Sequence, residues 1–221
     1  ALREAKNRGV KTLAIVNVVG SSIAREADHV FYTLAGPEIS VATTKAYSTQ
    51  LIASYLFAME LAKVRGQIDE TEYERLIKEL EKLPAKMQKI LEDKERIQWF
   101  ASKFSNAKDI FFIGRGLDYA LSMEGSLKLK EISYIHSESY AAGELKHGTI
   151  SLIDEKVYVI SLLSSSIKEK TKSNIEEVKS RKGKVFTISN ENSSYQIPET
   201  LDIFYPFLEI IPLQLLSLYT G

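Results

Sequence analysis

The stretch KLKEISYIHSESYAAGELKHG, residues 128–148, contains the side chains best suited to acid–base chemistry. Glu124, just before it, Lys128 and Glu131 are spaced four and three residues apart, which places them on one face of a helix. A carboxylate partly removed from water beside a lysine is a candidate general base, because burial raises its pKa and the ammonium stabilises developing negative charge. A surface ladder of salt bridges explains the same spacing equally well, and the sequence leaves both interpretations open.

Two of the three histidines of the chain lie in the same stretch. His147 stands in the small-residue segment YAAGELKHG, where the backbone can approach a ligand closely. A histidine in such a loop is more often a surface or hydrogen-bonded structural residue, so both interpretations remain. His136 follows the helical pattern, and we interpret it as a structural residue that closes the helix.

Three further segments have the composition of sites that bind phosphates or sugar hydroxyls. Gly114-Arg-Gly116 separates a predicted strand from a helix, where free N–H groups attract anions, but it lacks the third glycine of a dinucleotide fingerprint. Thr43 and Thr44 begin a predicted helix, and the serines at 164–166 join a strand to a helix. A tight turn, helix caps and an ordinary polar loop are the respective alternatives.

Composition excludes several classes of protein. The 221 residues include 29 Lys+Arg and 29 Asp+Glu, so no net positive charge favours nucleic acid. The absence of cysteine excludes disulfides, thiol nucleophiles and thiolate metal sites, and without an HExxH or similar spacing we expect no metal or cofactor. No signal peptide or membrane-length apolar run is apparent, which predicts a cytoplasmic protein without a membrane partner.

Apolar runs rich in Val, Ile and Phe alternate with helical patterns, which predicts an α/β fold with parallel strands covered on both faces. The predicted strands are 12–18, 29–34, 109–113, 157–163, 184–188 and 201–204. The predicted helices are 41–64, 70–83, 85–104, 118–134, 167–182 and 208–219. The charged region around 67–105 has no strand pattern, and we interpret it as a helical bridge between two α/β units.

An internal repeat supports two units. Residues 4–17, EAKNRGVKTLAIVN, align without a gap with residues 177–190, EVKSRKGKVFTISN, and six of the fourteen positions are identical. Chance agreement between two helix ends rich in Lys and Glu is the alternative, but the same order of elements continues after both copies. We therefore favour a duplication. The strand and glycine turn that precede the second copy have no counterpart before the first.

The segments GSSIAREAD, GPEISVATTKAYSTQL, EGSLKLKEISYIHSESYAAGELKHG and IPLQLL closely resemble the isomerase half of the glutamine–fructose-6-phosphate aminotransferase (glucosamine-6-phosphate synthase) family. The resemblance extends along nearly the whole chain. It implies two sugar isomerase (SIS) domains, each with three αβα layers and a parallel sheet. We expect residues 1–66 to be a first SIS domain truncated at its N-terminus, 67–104 a helical connector, and 105–221 a second SIS domain.

The resemblance also implies roles for individual residues. The family converts fructose 6-phosphate and ammonia into glucosamine 6-phosphate. Glu131 is implied to move the proton between C1 and C2 of the open-chain sugar imine, with Lys128 assisting and neutralising charge. His147 is implied to open the sugar ring in the neighbouring subunit of a homodimer. Val41 and Thr43 match positions that contact the sugar.

Several features of the family are not found in these residues. Its main phosphate-binding loop, its C-terminal Schiff-base lysine and its glutaminase domain are missing, and Thr149 replaces a proline. We therefore expect low activity from this segment alone and a glutaminase domain as a partner in the parent chain. The alternatives are a stand-alone glucosamine-6-phosphate deaminase or isomerase of the SIS type, and a non-catalytic SIS module that senses sugar phosphates.

Overall fold

The computed structural model describes residues 1–164 and 166–221, which form two compact units, Ala1–Leu76 and Ile77–Gly221. The first unit contains α1 (Leu2–Asn7), β1 (Leu13–Val16), α2 (Ser22–Glu26), β2 (His29–Tyr32) and α3 (Lys45–Val64). Helix α4 (Glu70–Glu81) begins in this unit. Strands β1 and β2 are parallel neighbours.

Asp28 accepts hydrogen bonds from the N–H and hydroxyl of Thr12, and these bonds lower the pKa of Asp28 to about 2.

The second unit contains a five-stranded sheet. Its helices are α5 (Leu83–Glu92), α6 (Lys94–Phe104), α7 (Leu117–Ser133), α8 (Lys168–Ser180) and α9 (Tyr205–Thr220). Its strands are β3 (Asp109–Gly114), β4 (His136–Ala141), β5 (Tyr158–Leu162), β6 (Lys184–Ser189) and β7 (Tyr195–Gln196). All neighbouring strands are parallel, in the order β4-β3-β5-β6-β7. The chain passes from β3 to β4 on one side and later returns to β5 on the other side of β3. The carboxyl ends of β3 and β5 are therefore the switch point at which open α/β sheets bind ligands.

Alternating side chains of β3 face two different layers. Phe111 and Ile113 belong to a buried cluster that includes Ile175 and Val178 of α8. Phe112 faces the other side, where its ring lies next to Gly125 of α7. Helices therefore cover both faces of the sheet, which confirms the predicted α/β fold with parallel strands.

Some predicted elements were wrong. Residues 201–204 do not form a strand: Asp202–Phe204 is a short 3-10 helix that leads into α9. Pro206 lies in the first turn of α9, a position that favours helix initiation. The predicted helix 85–104 is two helices that meet at Asp93. Strands β4 and β7 were not predicted.

Helix α9 is the most apolar helix of the second unit. The prediction that the chain has no apolar run of membrane length was wrong by length and composition, because the span Asp202–Thr220 is long and apolar enough to cross a membrane. However, 61% of it is buried within the protein. It packs chiefly against α7 and α6. A core helix of a folded domain has the same apolar composition and is buried in the same way. Packing inside the fold therefore explains why this span is apolar.

One carboxyl group is buried in this helix. Glu209 is completely buried, and Asp118 of α7 is 2% exposed. Burial raises the pKa of Glu209 well above its usual range; the nearby charge of Asp118 adds to the increase, and the adjacent Ser164 hydroxyl opposes it. Glu209 is therefore protonated in the folded protein at a pH where the unfolded chain ionises it.

We expect Glu209→Gln to reduce the pH dependence of stability. Folding takes up a proton at Glu209, so stability falls as pH rises above the ordinary Glu pKa of about 4.3. The difference in free energy of unfolding, variant minus wild type, should therefore be larger at about pH 8 than at about pH 5. Urea unfolding at both pH values measures this difference. Glu176→Gln, an exposed site, is the control, and a pH-independent difference at Glu209 would contradict the assignment.

Candidate functional site

Helix α7 is fixed at both ends by backbone geometry. A Cβ on Gly114 would lie 2.5 Å from the carbonyl carbon of Asp118, so only glycine permits the direct turn from β3 into α7. Gly116 has a φ of 58°, a conformation that glycine adopts without strain. At the other end Tyr134 takes the left-handed conformation after Ser133.

A close contact sets the rotation of α7 about its own axis. A Cβ on Gly125 would lie 2.9 Å from Leu213 Cδ1 of α9, so the two helices approach closely there. Since residues of an α-helix are about 100° apart, Lys128 lies about 60° and Glu131 about 120° from the direction of Gly125. Lys128 is therefore turned toward the interior and Glu131 toward its border.

Lys128 and the two glutamates form a compact charged group. Lys128 Nζ lies 2.5 Å from Glu131 Oε2 and 3.5 Å from Glu124 Oε1. The side chains are 3% exposed for Lys128, 14% for Glu124 and 29% for Glu131. The group is not a surface ladder, because its central ammonium is buried, Glu124 is largely buried, and Glu131 is the most exposed of the three.

The two carboxylates of the group have different environments. Burial raises the pKa of Glu124, and the positive charge of Lys128 opposes that increase. Glu131 is the more exposed carboxylate and keeps the shorter contact with Lys128. It therefore lies where a substrate can reach it, which a general base requires, and it has a positive charge beside it.

The loop that carries His147 is anchored by its apolar residues. Ala142 and Leu145 are fully buried, and Ala142 N–H donates to the Gly114 carbonyl oxygen at 2.9 Å. His147 ends a short 3-10 helix and is exposed. Among the described residues its side chain makes no hydrogen bond or ion pair, so this chain by itself does not join it to Lys128 and Glu131.

Arg115 supports this loop and was not identified as a site residue from the sequence. Its Nη2 donates to Asn174 Oδ1 at 3.0 Å. A Cβ on Gly143 would lie 2.8 Å from the same Nη2, so the guanidinium lies directly beneath the loop backbone. The Gly-Arg-Gly sequence was the available signal, but it did not reveal which segment the arginine would contact.

His136 does not close the helix, and that prediction was wrong. It is the first residue of β4 and pairs with Asp109 of β3. Its Nδ1 lies 2.7 Å from Asp109 Oδ1, and both side chains are exposed at about half of their area. This contact joins two neighbouring strands, so His136 has a structural role.

Val41 and Thr43 lie in the first unit, in the segment before α3. Val41 is 94% exposed, and Thr43 is partly buried. Thr44 is the residue that caps α3, but its side chain makes no capping hydrogen bond. Glu38 Oε1 instead accepts a hydrogen bond from the Thr44 N–H at 2.7 Å.

The serine loop after β5 faces the core at its first residue. Ser164 is 2% exposed and lies beside Glu209, whereas Ser166 is exposed. The prediction for Ser165 lies outside the described residues. In residues 1–164 and 166–221 no cluster of three or more His, Asp or Glu side chains could hold a metal ion.

The SIS domain model matches residues 1–60 and 103–217. The chain belongs to the SIS domain family. The isomerizing glutamine–fructose-6-phosphate aminotransferase of Caldanaerobacter subterraneus subsp. tengcongensis is 54% identical over 99% of this chain, and that of Clostridium tetani is 52% identical over 100%. The chain spans 38% of the length of each of these relatives.

A solved structure shows the same relationship. The C-terminal domain of glucosamine-fructose-6-phosphate aminotransferase from Francisella tularensis superimposes with a TM-score of 0.93 and 36% identity, covering 99% of this chain and 65% of that chain. These similarities confirm the family assignment and the SIS fold inferred from the sequence.

We expect Lys128→Met to destabilise the protein by about 3 kcal/mol, because it leaves two partly buried carboxylates without their cation. Lys128→Met/Glu124→Gln should recover part of this loss, since it removes one of the two charges. Lys179→Met, which breaks an exposed pair with Glu176, is the matched control and should change stability by about 0.5 kcal/mol or less. Urea unfolding measures all three, and equal effects of Lys128→Met and Lys179→Met would contradict the buried group.

Proposed function

We propose that this chain is the isomerase part of a glutamine–fructose-6-phosphate aminotransferase and converts fructose 6-phosphate and ammonia into glucosamine 6-phosphate. The observation that carries the proposal is the buried Lys128 ammonium 2.5 Å from the more exposed Glu131 carboxylate. The 54% identity to a relative with this name supports the choice of substrate.

The proposed reaction needs one base that returns the proton it takes. Ammonia condenses with the C2 carbonyl of the open-chain ketose and releases water. Glu131 then removes a proton from C1. The electron pair of that C–H bond forms the C1–C2 double bond while the C2=N π pair moves to the nitrogen, which takes up a proton from solvent, and an enaminol results. Glu131 delivers its proton to C2 from the C1–C2 π pair, while the O–H pair of the C1 hydroxyl forms the aldehyde C=O and its proton returns to solvent. One carboxylate serves both transfers, as general acid–base catalysis requires.

Lys128, His147, Val41 and Thr43 have supporting roles in this proposal. The Lys128 ammonium neutralises negative charge that develops while the proton is on Glu131. His147 opens the sugar ring in the neighbouring subunit of a homodimer, which agrees with its exposure on this chain. Val41 and Thr43 contact the sugar.

We further propose the organisation of the intact enzyme. Residues 1–66 and 105–221 belong to two SIS domains, and residues 67–104 connect them. This division is supported by the match of the SIS domain model, which covers residues 1–60 and 103–217 and leaves out the region between them. A glutaminase domain elsewhere in the intact chain supplies ammonia, and the enzyme is cytoplasmic. The names of the relatives support the glutamine dependence.

We expect Glu131→Gln in the intact enzyme to lower kcat for glucosamine 6-phosphate synthesis by about 10²- to 10⁴-fold, because the amide cannot accept the proton. Folding, measured by circular dichroism and Tm, should be retained. Glu176→Gln, an exposed glutamate also paired with a lysine, is the control. Synthesis at the wild-type rate by Glu131→Gln would overturn the proposal. Binding of fructose 6-phosphate without turnover by the wild type would instead indicate a sensor.

Mixing two inactive variants tests the proposed subunit sharing. Glu131→Gln and His147→Ala homodimers each lack one group in every site. In a mixed dimer one of the two sites receives an intact Glu131 and an intact His147. Random exchange makes about half of all dimers mixed, so the mixture should recover about a quarter of wild-type activity. Coexpression with two purification tags isolates the mixed dimer. No recovery in that dimer would show that both residues act within one subunit.

A further inference from the structure

A cavity of about 460 Å³ lies at the amino ends of three strands in the second unit. Asp109, Tyr158 and Lys184, the first residues of β3, β5 and β6, line it. Its wall contains four lysines from three segments of the chain: Lys103, Lys108, Lys156 and Lys184. None of its lining residues belongs to the charged group on α7 or to the His147 loop.

The positive charge of this lysine cavity is only partly compensated by acidic residues in its wall. In the part of the chain that the structure describes, none of the four lysines forms an ion pair. The wall of the cavity also contains two acidic residues, and both have partners. Asp109 contacts His136 Nδ1 at 2.7 Å, and Asp154 accepts a hydrogen bond from the Lys156 N–H at 2.8 Å. The cavity therefore has an excess of two positive charges available to an anion.

The aromatic part of the lysine cavity is held in place. The Lys184 ammonium lies over the Tyr158 ring, 4.8 Å from its centroid. The Phe104 ring packs edge-on against Tyr158 with centroids 5.0 Å apart, and Phe104 is buried. A partly exposed aromatic ring next to lysines can contact an apolar part of a ligand while the lysines bind its phosphate.

We propose that the lysine cavity binds a small phosphorylated ligand, at a site separate from the proposed isomerase site. Its volume lies within the range of about 300–1,000 Å³ that small-molecule sites occupy. The formal net charge of the chain is zero, so no long-range field favours a nucleic acid. The four lysines line a single cavity, although the Lys103 ammonium also lies over the Trp99 ring, 4.7 Å from its centroid. This inference does not rest on the proposed isomerase activity.

Titration calorimetry with inorganic pyrophosphate as the probe tests the proposal. We expect saturable binding to the wild-type protein that weakens as salt is added, because exposed charges are screened. Lys156→Ala/Lys184→Ala should weaken this binding by about tenfold or more. Lys94→Ala/Lys170→Ala removes two exposed lysines outside the cavity and should leave the affinity unchanged.

Two results would overturn the proposal. One is no saturable binding by the wild type at about millimolar pyrophosphate, the affinity range of weak small-molecule sites. The other is equal weakening in the two double variants, which would indicate general attraction to surface lysines. All four substituted side chains are solvent-exposed, so we expect both double variants to have Tm values near that of the wild type. If Lys156→Ala/Lys184→Ala is unstable, the single variant Lys156→Ala can be compared with the control for pyrophosphate affinity.

Discussion

The buried ammonium of Lys128, held between the carboxylates of Glu124 and Glu131, is the interaction on which the arrangement around α7 depends. An ammonium in this position is tolerated only if it has charged partners, since a buried charge without a partner is very costly. The spacing along α7 supplies both partners, and the close contact between Gly125 and Leu213 sets the rotation of α7 that buries Lys128 and leaves Glu131 nearer to solvent. The apolar packing of α7 on α9 and the polar group beside it are therefore parts of one arrangement.

Much of the fold was predictable because buried parallel strands have a strong sequence pattern. Five of the six predicted strands exist, and they are the continuous apolar runs. Strand β4, HSESYA, was missed because it is an edge strand, paired only with β3, and its polar residues resemble a loop. Residues 201–204 were assigned to a strand as a short apolar run, but this run leads into α9, where Phe204 and Tyr205 are buried.

For the candidate site, the sequence predicted neighbours but not environments. The spacing of Lys128 and Glu131 was enough to place them on one face, because helix geometry is regular. Whether that face was buried depended on α9, which is about 80 residues away in the chain and cannot be located from local periodicity. The same limit applies to Glu209, whose carboxyl could not be assigned to a fully buried position from an apolar helical pattern. The residue pattern made His147 and Thr43 candidates only, with structural alternatives left open. Their roles, and that of Val41, came from the resemblance.

The energetic cost of Lys128 is itself an argument about its purpose. Replacing a buried ion pair by apolar residues of similar volume is often neutral or stabilising, so packing does not require a lysine at this position. The carboxylates that compensate it are unequally exposed, with Glu131 nearest to solvent. A purely structural ion pair gains nothing from leaving one partner open to water, where screening weakens it. An acid–base group does gain, because its carboxylate must reach a substrate while the buried ammonium holds it in place. The gradient of exposure across the three side chains thus supports a chemical role for this group more strongly than their pairing does.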